Sequence, residues 1–449
     1  MRANEIVTAV TARQTSAGEM AEQALARIDA ARALNAIVAI DPERTRAEAD
    51  AVDARVSAGE MLPLAGVPVV IKDNIWVGGW RITQGSRLFA DFIAPEDAIA
   101  VARLRRAGAV IVGIGATSEF ACKGVTTSLL YGPTHHPNNP DLTPGGSSGG
   151  PAVAVAAGLV PLAIGTDAGG SSRRPPAHVG VVGFKPSYGA VPYGPGFAEA
   201  GWGISVIAPI AADVGDARLA FEAITGIDPR DPATFELPKA GHAKPLRIAF
   251  SPRLGLDVAV DEEVSSGLRQ AIDRLRAGGT PIADADPIWP AGLAEDAVMP
   301  LQHAGLAALH GEAFRSDATQ FDPDIAKQIE RGLGLSGADV ALALEASARI
   351  ARAFAAFFLH VDVLLAPTVP CVAWPFTQLG PTMIGGRAAS PRGHAVFTPF
   401  VNHAGVPAIS IPCGRNAQGL PFGLQLIAAR GHDRMLLDVA ARVEQVLQY

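Results

Sequence analysis

The chain is poor in cysteine and carries no excess of basic charge. Its 449 residues include three widely spaced cysteines, which argues against a disulfide framework or a CxxC metal site and fits a reducing cytoplasm. The formal net charge of −7 at pH 7 offers no basic surface for nucleic acid or an anionic membrane. No uninterrupted apolar run reaches the roughly 18 residues that a membrane span needs. We therefore expect a cytoplasmic protein with no nucleic-acid partner and no membrane association.

Short apolar runs rich in β-branched residues, typical of buried strands, alternate along the chain with segments of helical periodicity. The predicted strands cover residues 36–40, 66–71, 109–114, 159–164, 361–368, 407–413 and 423–429. The predicted helices cover residues 42–58, 96–108, 151–158, 213–226, 261–278, 338–359 and 432–447, with two more within 3–32. This alternation indicates an α/β fold with a sheet covered on both faces. Since strands occur at both ends of the chain, one large sheet is favoured over two independent domains.

Two loops rich in glycine and serine flank an apolar segment between Pro144 and Arg174. Their glycines allow backbone with positive φ and let a ligand approach the main chain closely. The segment between them, residues 152–164, consists mainly of small apolar residues and is predicted to be buried. Flexible linkers are also rich in Gly and Ser, but they do not normally bracket a tight apolar segment. The pattern therefore favours two loops held at a fixed separation, each presenting a serine.

A serine hydroxyl needs a base to act as a nucleophile, and two arrangements fit the sequence. Ser148 formally matches the GxSxG elbow of α/β-hydrolases, but loop-like residues precede it and no downstream histidine has a matching setting. Lys72 ends a predicted apolar strand, where burial would lower its pKa and make it available as a general base. An ordinary strand-end lysine facing solvent is the alternative. The pairing of Lys72 with two serine loops favours the catalytic interpretation.

Four motifs, in this order and at these separations, resemble the amidase signature family. They are GVPVVIKDN at 66–74, PGGSSGG at 144–150, GTDAGGSSR at 165–173 and, more weakly, GVVGFKPSYG at 180–189, and the resemblance continues at 397–414 and 419–428. It covers most of the chain except roughly residues 230–360. Chance similarity across four ordered motifs is improbable.

The resemblance implies an α/β fold in which residues 1–449 form a single large domain. A central twisted mixed β-sheet is expected to be covered by helices on both faces. Within this domain we expect a signature core at about 60–225 and a variable helical region at about 230–360. Residues from about 361 to 449 would complete the same sheet.

Carried over residue by residue, the family's Ser-cisSer-Lys triad falls on Lys72, Ser147 and Ser171. The resemblance implies that Ser171 attacks the amide carbonyl and forms an acyl-enzyme. Ser147, joined to Gly146 by a cis peptide bond, would pass the proton from Ser171 to neutral Lys72. No cofactor and no metal are implied.

The resemblance also implies an oxyanion hole in the loop that leads to the nucleophile. Its donors would be the backbone N–H groups of Ala168, Gly169, Gly170 and Ser171. One such donor typically contributes about 3 kcal/mol in the transition state. We interpret Asp167 as an internal hydrogen-bonding residue that organises this loop.

Arg174 is the candidate substrate-binding residue, and it departs from the usual family pattern. It follows Ser171 by three residues, close enough to line the acyl pocket. Arginine offers a planar fork that can bind a carboxylate with two hydrogen bonds. We hypothesise that Arg174 pairs with a carboxylate of the substrate. The alternative is a salt bridge to a neighbouring acidic residue of the protein.

We predict an amidohydrolase that cleaves a small or medium carboxamide to a carboxylate and ammonia or an amine. The alternative within the family is the glutaminase (A) subunit of a tRNA-dependent amidotransferase, which would act only with partner subunits. A third hypothesis is a noncatalytic relative that acts as a binding subunit, although the presence of all three triad residues argues against it. As partner we expect a small-molecule amide substrate, with a homodimer left open.

Overall fold

The computed structural model describes residues 1–201, 203–238, 245–293 and 296–447 of the chain. Its α-helices are α1 (Ala3–Thr11), α2 (Ala17–Ala30), α3 (Pro42–Ser57), α4 (Ile99–Arg106), α5 (Gly149–Ala156), α6 (Arg174–Val179), α7 (Val214–Ile224), α8 (Glu262–Ala277), α9 (Met299–Ser316), α10 (Pro323–Leu333), α11 (Gly337–Phe357), α12 (Pro399–His403) and α13 (Asp433–Leu447). Within these ranges, no helix is both long enough and apolar enough to cross a membrane.

The β-strands fall into one large sheet and two small ones. They are β1 (Ile37–Ala39), β2 (Pro68–Lys72), β3 (Val110–Gly115), β4 (Thr127–Ser128), β5 (Gly132–Pro133), β6 (Leu162–Asp167), β7 (Val182–Lys185), β8 (Val206–Ala211), β9 (Ile248–Phe250), β10 (Ile282–Asp284), β11 (Val363–Pro367), β12 (Met383–Ile384), β13 (Arg387–Ala388), β14 (Ala408–Arg415) and β15 (Pro421–Ala428). Strands β4 and β5 pair with each other, as do β12 and β13, and the remaining eleven form the large sheet.

The large sheet is mixed, with the strand order β1-β3-β2-β6-β8-β7-β14-β15-β11-β9-β10. Strand β2 lies parallel to both β3 and β6. From β6 through β8, β7, β14 and β15 to β11, each strand is antiparallel to the next. Strands from both ends of the chain thus share one sheet, which confirms the predicted α/β fold as a single domain.

The central strands are buried on both sides. Every residue of β2, β3, β6, β8 and β15 is buried. Successive residues of a strand point to opposite faces, so burial of every residue requires cover on both faces. Helix α5 contacts β2, β3 and β6, while α8 and α13 contact β14. The helices that flank the sheet therefore supply the cover that the apolar strand sequences require.

The region between about 230 and 360 contains more structure than the sequence predicts. Strands β9 and β10 pair in parallel at one edge of the sheet, next to β11. Helices α9 and α10, which occupy a stretch without predicted elements, pack against each other. A local signal for α10 exists, because Asp322 caps the helix and Pro323 opens its first turn. The division of the domain into a signature core, a variable region and a C-terminal part stays a prediction.

Candidate active site

The candidate site lies at the carboxyl ends of two neighbouring parallel strands. Lys72 is the last residue of β2, and Asp167 is the last residue of β6. The two strands are in register, with Ile71 opposite Ile164. Parallel strands end at the same edge of a sheet, where open α/β folds place their ligands. The loop of residues 168–173 therefore begins beside Lys72.

Lys72 and Ser147 are joined by a hydrogen bond in the interior. Lys72 Nζ donates to Ser147 Oγ at 2.8 Å and to Thr166 Oγ1 at 2.9 Å. Asn74 Nδ2 donates to the same threonine oxygen at 3.0 Å. The peptide bond between Gly146 and Ser147 is cis. The structure thus brings two of the three predicted triad residues into direct contact.

Burial lowers the pKa of the Lys72 amine to about 7. Removal from water disfavours the charged form of a lysine. The negative charges of Asp167 and Glu199 oppose this effect only in part. Near neutral pH a substantial fraction of Lys72 is therefore uncharged, with a lone pair that can accept a proton.

Ser171 shares a cavity with Ser147 but makes no hydrogen bond to it. Both serines line a cavity of about 80 Å³, together with Asn74, Gln84 and Glu199, which we call the narrow cavity. Within the described ranges the Ser171 hydroxyl has no hydrogen-bond partner, and the residue is 6% exposed. Its oxygen is therefore open to a substrate atom that enters the cavity.

The loop that leads to Ser171 holds backbone N–H groups beside this cavity. Ala168, Gly169 and Ser171 line it, and their N–H groups meet no acceptor in the part of the chain that is described. Gly170 differs, because its N–H donates to Asp167 Oδ1 at 2.7 Å. Of the four predicted oxyanion donors, three are open and one is already engaged.

A buried ion pair holds this loop in place. Asp167 and Arg173 are both fully buried, with 2.9 Å between Oδ1 and Nη2. Arg173 also donates to Gln425 Oε1 at 2.6 Å and to Asn402 Oδ1 at 2.5 Å. Burial alone would raise the pKa of Asp167, but the charge and hydrogen bonds of Arg173 hold it well below its usual range. Asp167 thus organises the loop, and Arg173 ties the loop to the C-terminal part of the chain.

Ser148, the nucleophile of the elbow alternative, takes part in the packing between the two glycine-rich loops. Its Oγ donates to the Thr166 carbonyl at 3.2 Å and lies 3.3 Å from Ser172 Oγ. It lines neither of the two cavities that Ser171 lines. The helix that follows lies so close to neighbouring backbone that a Cβ on Gly150 would be 2.2 Å from the Ala116 nitrogen. Ser148 therefore holds the two glycine-rich loops together and does not face either cavity.

Arg174 lines a second cavity, of about 280 Å³, which Ala168, Gly169 and Ser171 also line. We call it the basic cavity because its wall includes Lys123, Arg174, Lys327, Arg331 and Arg392. Arg174 is 6% exposed, and among the described residues it forms no salt bridge with an acidic side chain. Burial and the charge of Arg392 lower the pKa of Arg174 to about 9. The structure therefore does not show the alternative, a salt bridge between Arg174 and an acidic residue among those described.

Sequence analysis missed the residues that distant segments bring to the two cavities. They are Tyr193, Phe197 and Glu199 after β7, Gln302, His303 and His310 on α9, Asp324 and Gln328 on α10, and Arg392 and His394 near the C-terminal part of the sheet. Glu199 accepts a hydrogen bond from the Tyr193 hydroxyl, and burial raises the pKa of Glu199 to about 7. No local motif marks these residues, since only tertiary packing brings them to Ser171.

Comparisons with known proteins give a consistent result. A family profile described as Amidase matches residues 19–437. The A subunit of glutamyl-tRNA(Gln) amidotransferase from Deinococcus deserti is 37% identical over 482 aligned residues, covering 99% of this chain and 96% of the relative. The protein of the same name from Cupriavidus metallidurans is 34% identical over 495 residues, with the same coverage. A solved bacterial aryl acylamidase of the amidase signature enzymes has a TM-score of 0.92 at 27% identity, covering 100% of this chain and 96% of that chain.

The relatives correct the prediction about partners. The expectation of a small-molecule partner with no nucleic acid is wrong, because both relatives are named as one subunit of a glutamyl-tRNA(Gln) amidotransferase. The prediction rested on net charge, which describes only the electrostatic surface of this chain. Net charge contains no information about what the other subunits of an assembly bind.

Proposed function

Because this chain belongs to the amidase signature family and is a hydrolase of carbon–nitrogen amide bonds, we propose that it cleaves a carboxamide through an acyl-enzyme on Ser171. The products are a carboxylate and ammonia or an amine. The observation that carries the proposal is the buried hydrogen bond between Lys72 and Ser147, beside the cavity that holds Ser171. A neutral amine and two hydroxyls in this order can form a proton relay to an activated nucleophile.

The proposed reaction begins when Ser171 Oγ attacks the carbonyl carbon of the amide. The Ser171 proton passes to Ser147 Oγ, whose own proton passes to Lys72 Nζ. The tetrahedral intermediate then collapses, the C–N bond breaks, and the leaving nitrogen takes a proton returned through Ser147. Water hydrolyses the acyl-enzyme by the same route. The proposal requires a hydrogen bond between Ser147 and Ser171 that forms with substrate bound, since catalytic hydrogen bonds often tighten only in the complex.

The oxyanion of the intermediate is proposed to lie against the N–H groups of Ala168, Gly169 and Ser171. These are the open donors of the loop, and donors placed where charge develops need no reorganisation during the reaction. Gly170 is proposed to contribute through its bond to Asp167, which keeps the loop in shape. A donor of this kind typically contributes about 3 kcal/mol to transition-state stabilisation.

The named relatives favour a particular form of this reaction. Two proteins named as the A subunit of glutamyl-tRNA(Gln) amidotransferase are 34% and 37% identical over 99% of this chain. They support the role of a glutaminase subunit, in which ammonia is released for use by partner subunits, more directly than a free-standing amidase. The similarity to the solved aryl acylamidase supports the free-standing form. The cytoplasmic location stays a prediction under both.

Covalent labelling with a fluorophosphonate tests the nucleophile. We expect the purified chain to be labelled and Ser171→Ala to lose the label. Ser172→Ala is the matched control, because Ser172 is the neighbouring buried serine and its hydroxyl bonds to the Thr166 carbonyl. Labelling of Ser171→Ala at the rate of the unaltered chain would contradict the proposal, and absence of labelling in the unaltered chain would favour a noncatalytic binding subunit.

Hydrolysis by the isolated chain separates the two candidate roles. Ammonia release from L-glutamine would be compared with release from a panel of small aliphatic and aromatic carboxamides. A free-standing amidase is expected to turn over members of the panel without any partner. A chain that is labelled by the fluorophosphonate but turns over glutamine only when partner subunits are added would support the glutaminase role.

A further inference from the structure

Two buried side chains from the C-terminal part of the chain bond to the backbone of residues 167–170, which lead to Ser171. They are Thr398, which precedes α12, and Asn402, which lies within it. Neither side chain lines the narrow cavity or the basic cavity, although Pro399 and His403 of the same helix line the narrow one. Thr398 and Asn402 are therefore placed to act on the loop and not on a molecule bound in a cavity.

Asn402 fixes the first peptide of this segment. Its Nδ2 donates to the Asp167 carbonyl and to Asp167 Oδ1, at 2.8 Å in each case, while its Oδ1 accepts from Arg173. The C=O and the N–H of a trans peptide point in opposite directions. Since Asn402 holds the Asp167 carbonyl, the Ala168 N–H of the same peptide is turned away from Asn402. Ala168 lines both cavities, and among the described residues its N–H meets no acceptor.

Thr398 fixes the peptide between Gly169 and Gly170. Its hydroxyl donates to the Gly169 carbonyl at 2.7 Å, while the Gly170 N–H of the same peptide donates to Asp167 Oδ1 at 2.7 Å. A peptide between two glycines meets few steric barriers to rotation, so these two hydrogen bonds decide its orientation. A Cβ on Gly170, whose φ is +109°, would lie 2.1 Å from Thr398 Oγ1. Thr398 thus packs directly against the residue before Ser171.

The position of Thr398 in the sequence indicates a different role from the one that its side chain plays. Thr398 is the N-cap of α12, where a threonine hydroxyl usually accepts a hydrogen bond from the backbone of its own helix. In the described structure that bond is not formed. The hydroxyl instead donates to the Gly169 carbonyl, 229 positions away in the sequence. The bond to the loop therefore replaces the local cap.

We propose that Thr398 and Asn402 are positioning residues that keep the oxyanion donors of the loop directed at the substrate. The inference rests on the proposed function and deepens its oxyanion hole. Without the Thr398 hydroxyl, the peptide between Gly169 and Gly170 is free to turn its carbonyl oxygen toward the developing negative charge. Without Asn402, the Ala168 N–H loses the bond that fixes its direction. Because oxyanion donors act on the transition state, the loss is expected in the chemical step and not in the binding of an intact amide.

The rate of fluorophosphonate labelling tests the inference, because the phosphonyl oxygen takes the place of the oxyanion when Ser171 Oγ displaces fluoride. Thr398→Val removes the hydroxyl with little change of shape, and we expect it to lower the labelling rate about 10- to 100-fold. Thr398→Ser keeps the hydroxyl, so its rate is expected to stay within about threefold of the unaltered chain. Asn402→Ala is expected to lower the rate about 10- to 100-fold.

Thr368→Val is the matched control. Thr368 is also buried, its hydroxyl is 2.8 Å from Ser410 Oγ, and it lines neither cavity. A merely structural role for Thr398 predicts that both valine variants lose stability while labelling per folded chain stays unchanged. Urea unfolding gives the folded fraction of each variant. If Asn402→Ala fails to fold, the threonine series carries the test.

Hydrolysis adds a second readout, with the carboxamide that the unaltered chain turns over fastest. For Thr398→Val we expect kcat to fall about 10- to 100-fold while KM changes less than about threefold, as for an interaction made only in the transition state. A rise in KM with kcat unchanged would overturn the inference, because it would show that Thr398 acts on substrate binding.

Labelling of Thr398→Val and Asn402→Ala at the rate of the unaltered chain would also overturn the inference. So would a loss in Thr398→Ser as large as the loss in Thr398→Val. Either result would leave Ser171 labelled and the proposed function standing. Failure of the proposed function is a different result, since the unaltered chain would then stay unlabelled or Ser171→Ala would keep the label, and the inference would fall with it.

Discussion

Two buried lysines end strands of the same sheet, yet only one of them bonds to residues that line the narrow cavity. Burial lowers the pKa of Lys72 and of Lys185 to about 7 in each case. Lys72 Nζ donates to the hydroxyls of Ser147 and Thr166, which line the narrow cavity. Lys185 Nζ donates to the Pro186 carbonyl at 2.8 Å, and Lys185 lines neither cavity. A lowered pKa therefore supplies a neutral amine, but the neighbouring hydroxyl decides whether that amine can serve as a base.

Replacement of each lysine by methionine gives the largest expected contrast. Lys72→Met removes the proposed proton acceptor, and loss of such a group from a catalytic triad lowers the rate at least about 10³-fold. Lys185→Met removes an amine whose hydrogen bond goes to the Pro186 carbonyl and not to Ser147 or Ser171, so we expect kcat/KM to change less than about tenfold. Steady-state amide hydrolysis by the two variants measures the contrast. Similar losses in both would show that the comparison between the two lysines is wrong.

The pH dependence of hydrolysis sharpens the comparison. If neutral Lys72 is the base, kcat/KM falls as pH drops below about 7, by about tenfold for each further pH unit once Lys72 is protonated. Between pH 8 and pH 5 the expected loss is thus about 100-fold. The same fall in kcat/KM below about pH 7 is expected in Lys185→Met, because the group that titrates is Lys72. If the fall in kcat/KM at low pH shifts to another pH when Lys185 is replaced, the titrating group is Lys185 and not Lys72.

The smallest expected effect concerns stability. Between about pH 7 and about pH 10.4, Lys185 is mostly uncharged in the folded chain but keeps its proton in the unfolded chain. The unfolded state then binds more protons in this window, so the lysine makes the free energy of unfolding rise with pH, by at most about 1.4 kcal/mol per pH unit.

Lys185→Met removes this contribution. We expect the difference in unfolding free energy between the unaltered chain and Lys185→Met to shift by about 1 to 2 kcal/mol from pH 7 to pH 8.5. Urea unfolding at both pH values measures the shift, and the other titrating groups cancel in the difference. A difference that does not change with pH would mean that Lys185 keeps its proton in the folded protein.

Much of the framework could be predicted from the sequence because its signals are local. Runs of β-branched residues mark β2 and β3, and the change to helical periodicity marks α3 and α8. The glycine and serine motifs around Ser147 and Ser171 are short, and their order along the chain points to the family. The assignment of the triad and of the oxyanion donors stays a prediction that the proposed experiments test.

Helix α9 shows why other parts could not be predicted. Its apolar residues do not form one clear stripe, because glycines, alanines and histidines are mixed along its sequence MPLQHAGLAALHGEAFRS. The clear local signal lies at the start of α10, with Asp322 and Pro323. Propensity and periodicity are weak where a helix is stabilised mainly by tertiary packing, and both helices contribute walls to the cavities beside Ser171.

By itself, the sequence determined the α/β class and seven strands of the large sheet, β1, β2, β3, β6, β11, β14 and β15, since these signals depend on neighbours close along the chain. Only the tertiary structure decided what two adjacent arginines do. Arg173 reaches Gln425, 252 positions away, and is fully partnered, whereas Arg174 lines the basic cavity without an acidic partner among the described residues. The two arginines are neighbours in one short motif, so local sequence does not distinguish them. The difference between their partners arises from long-range packing that no short pattern encodes.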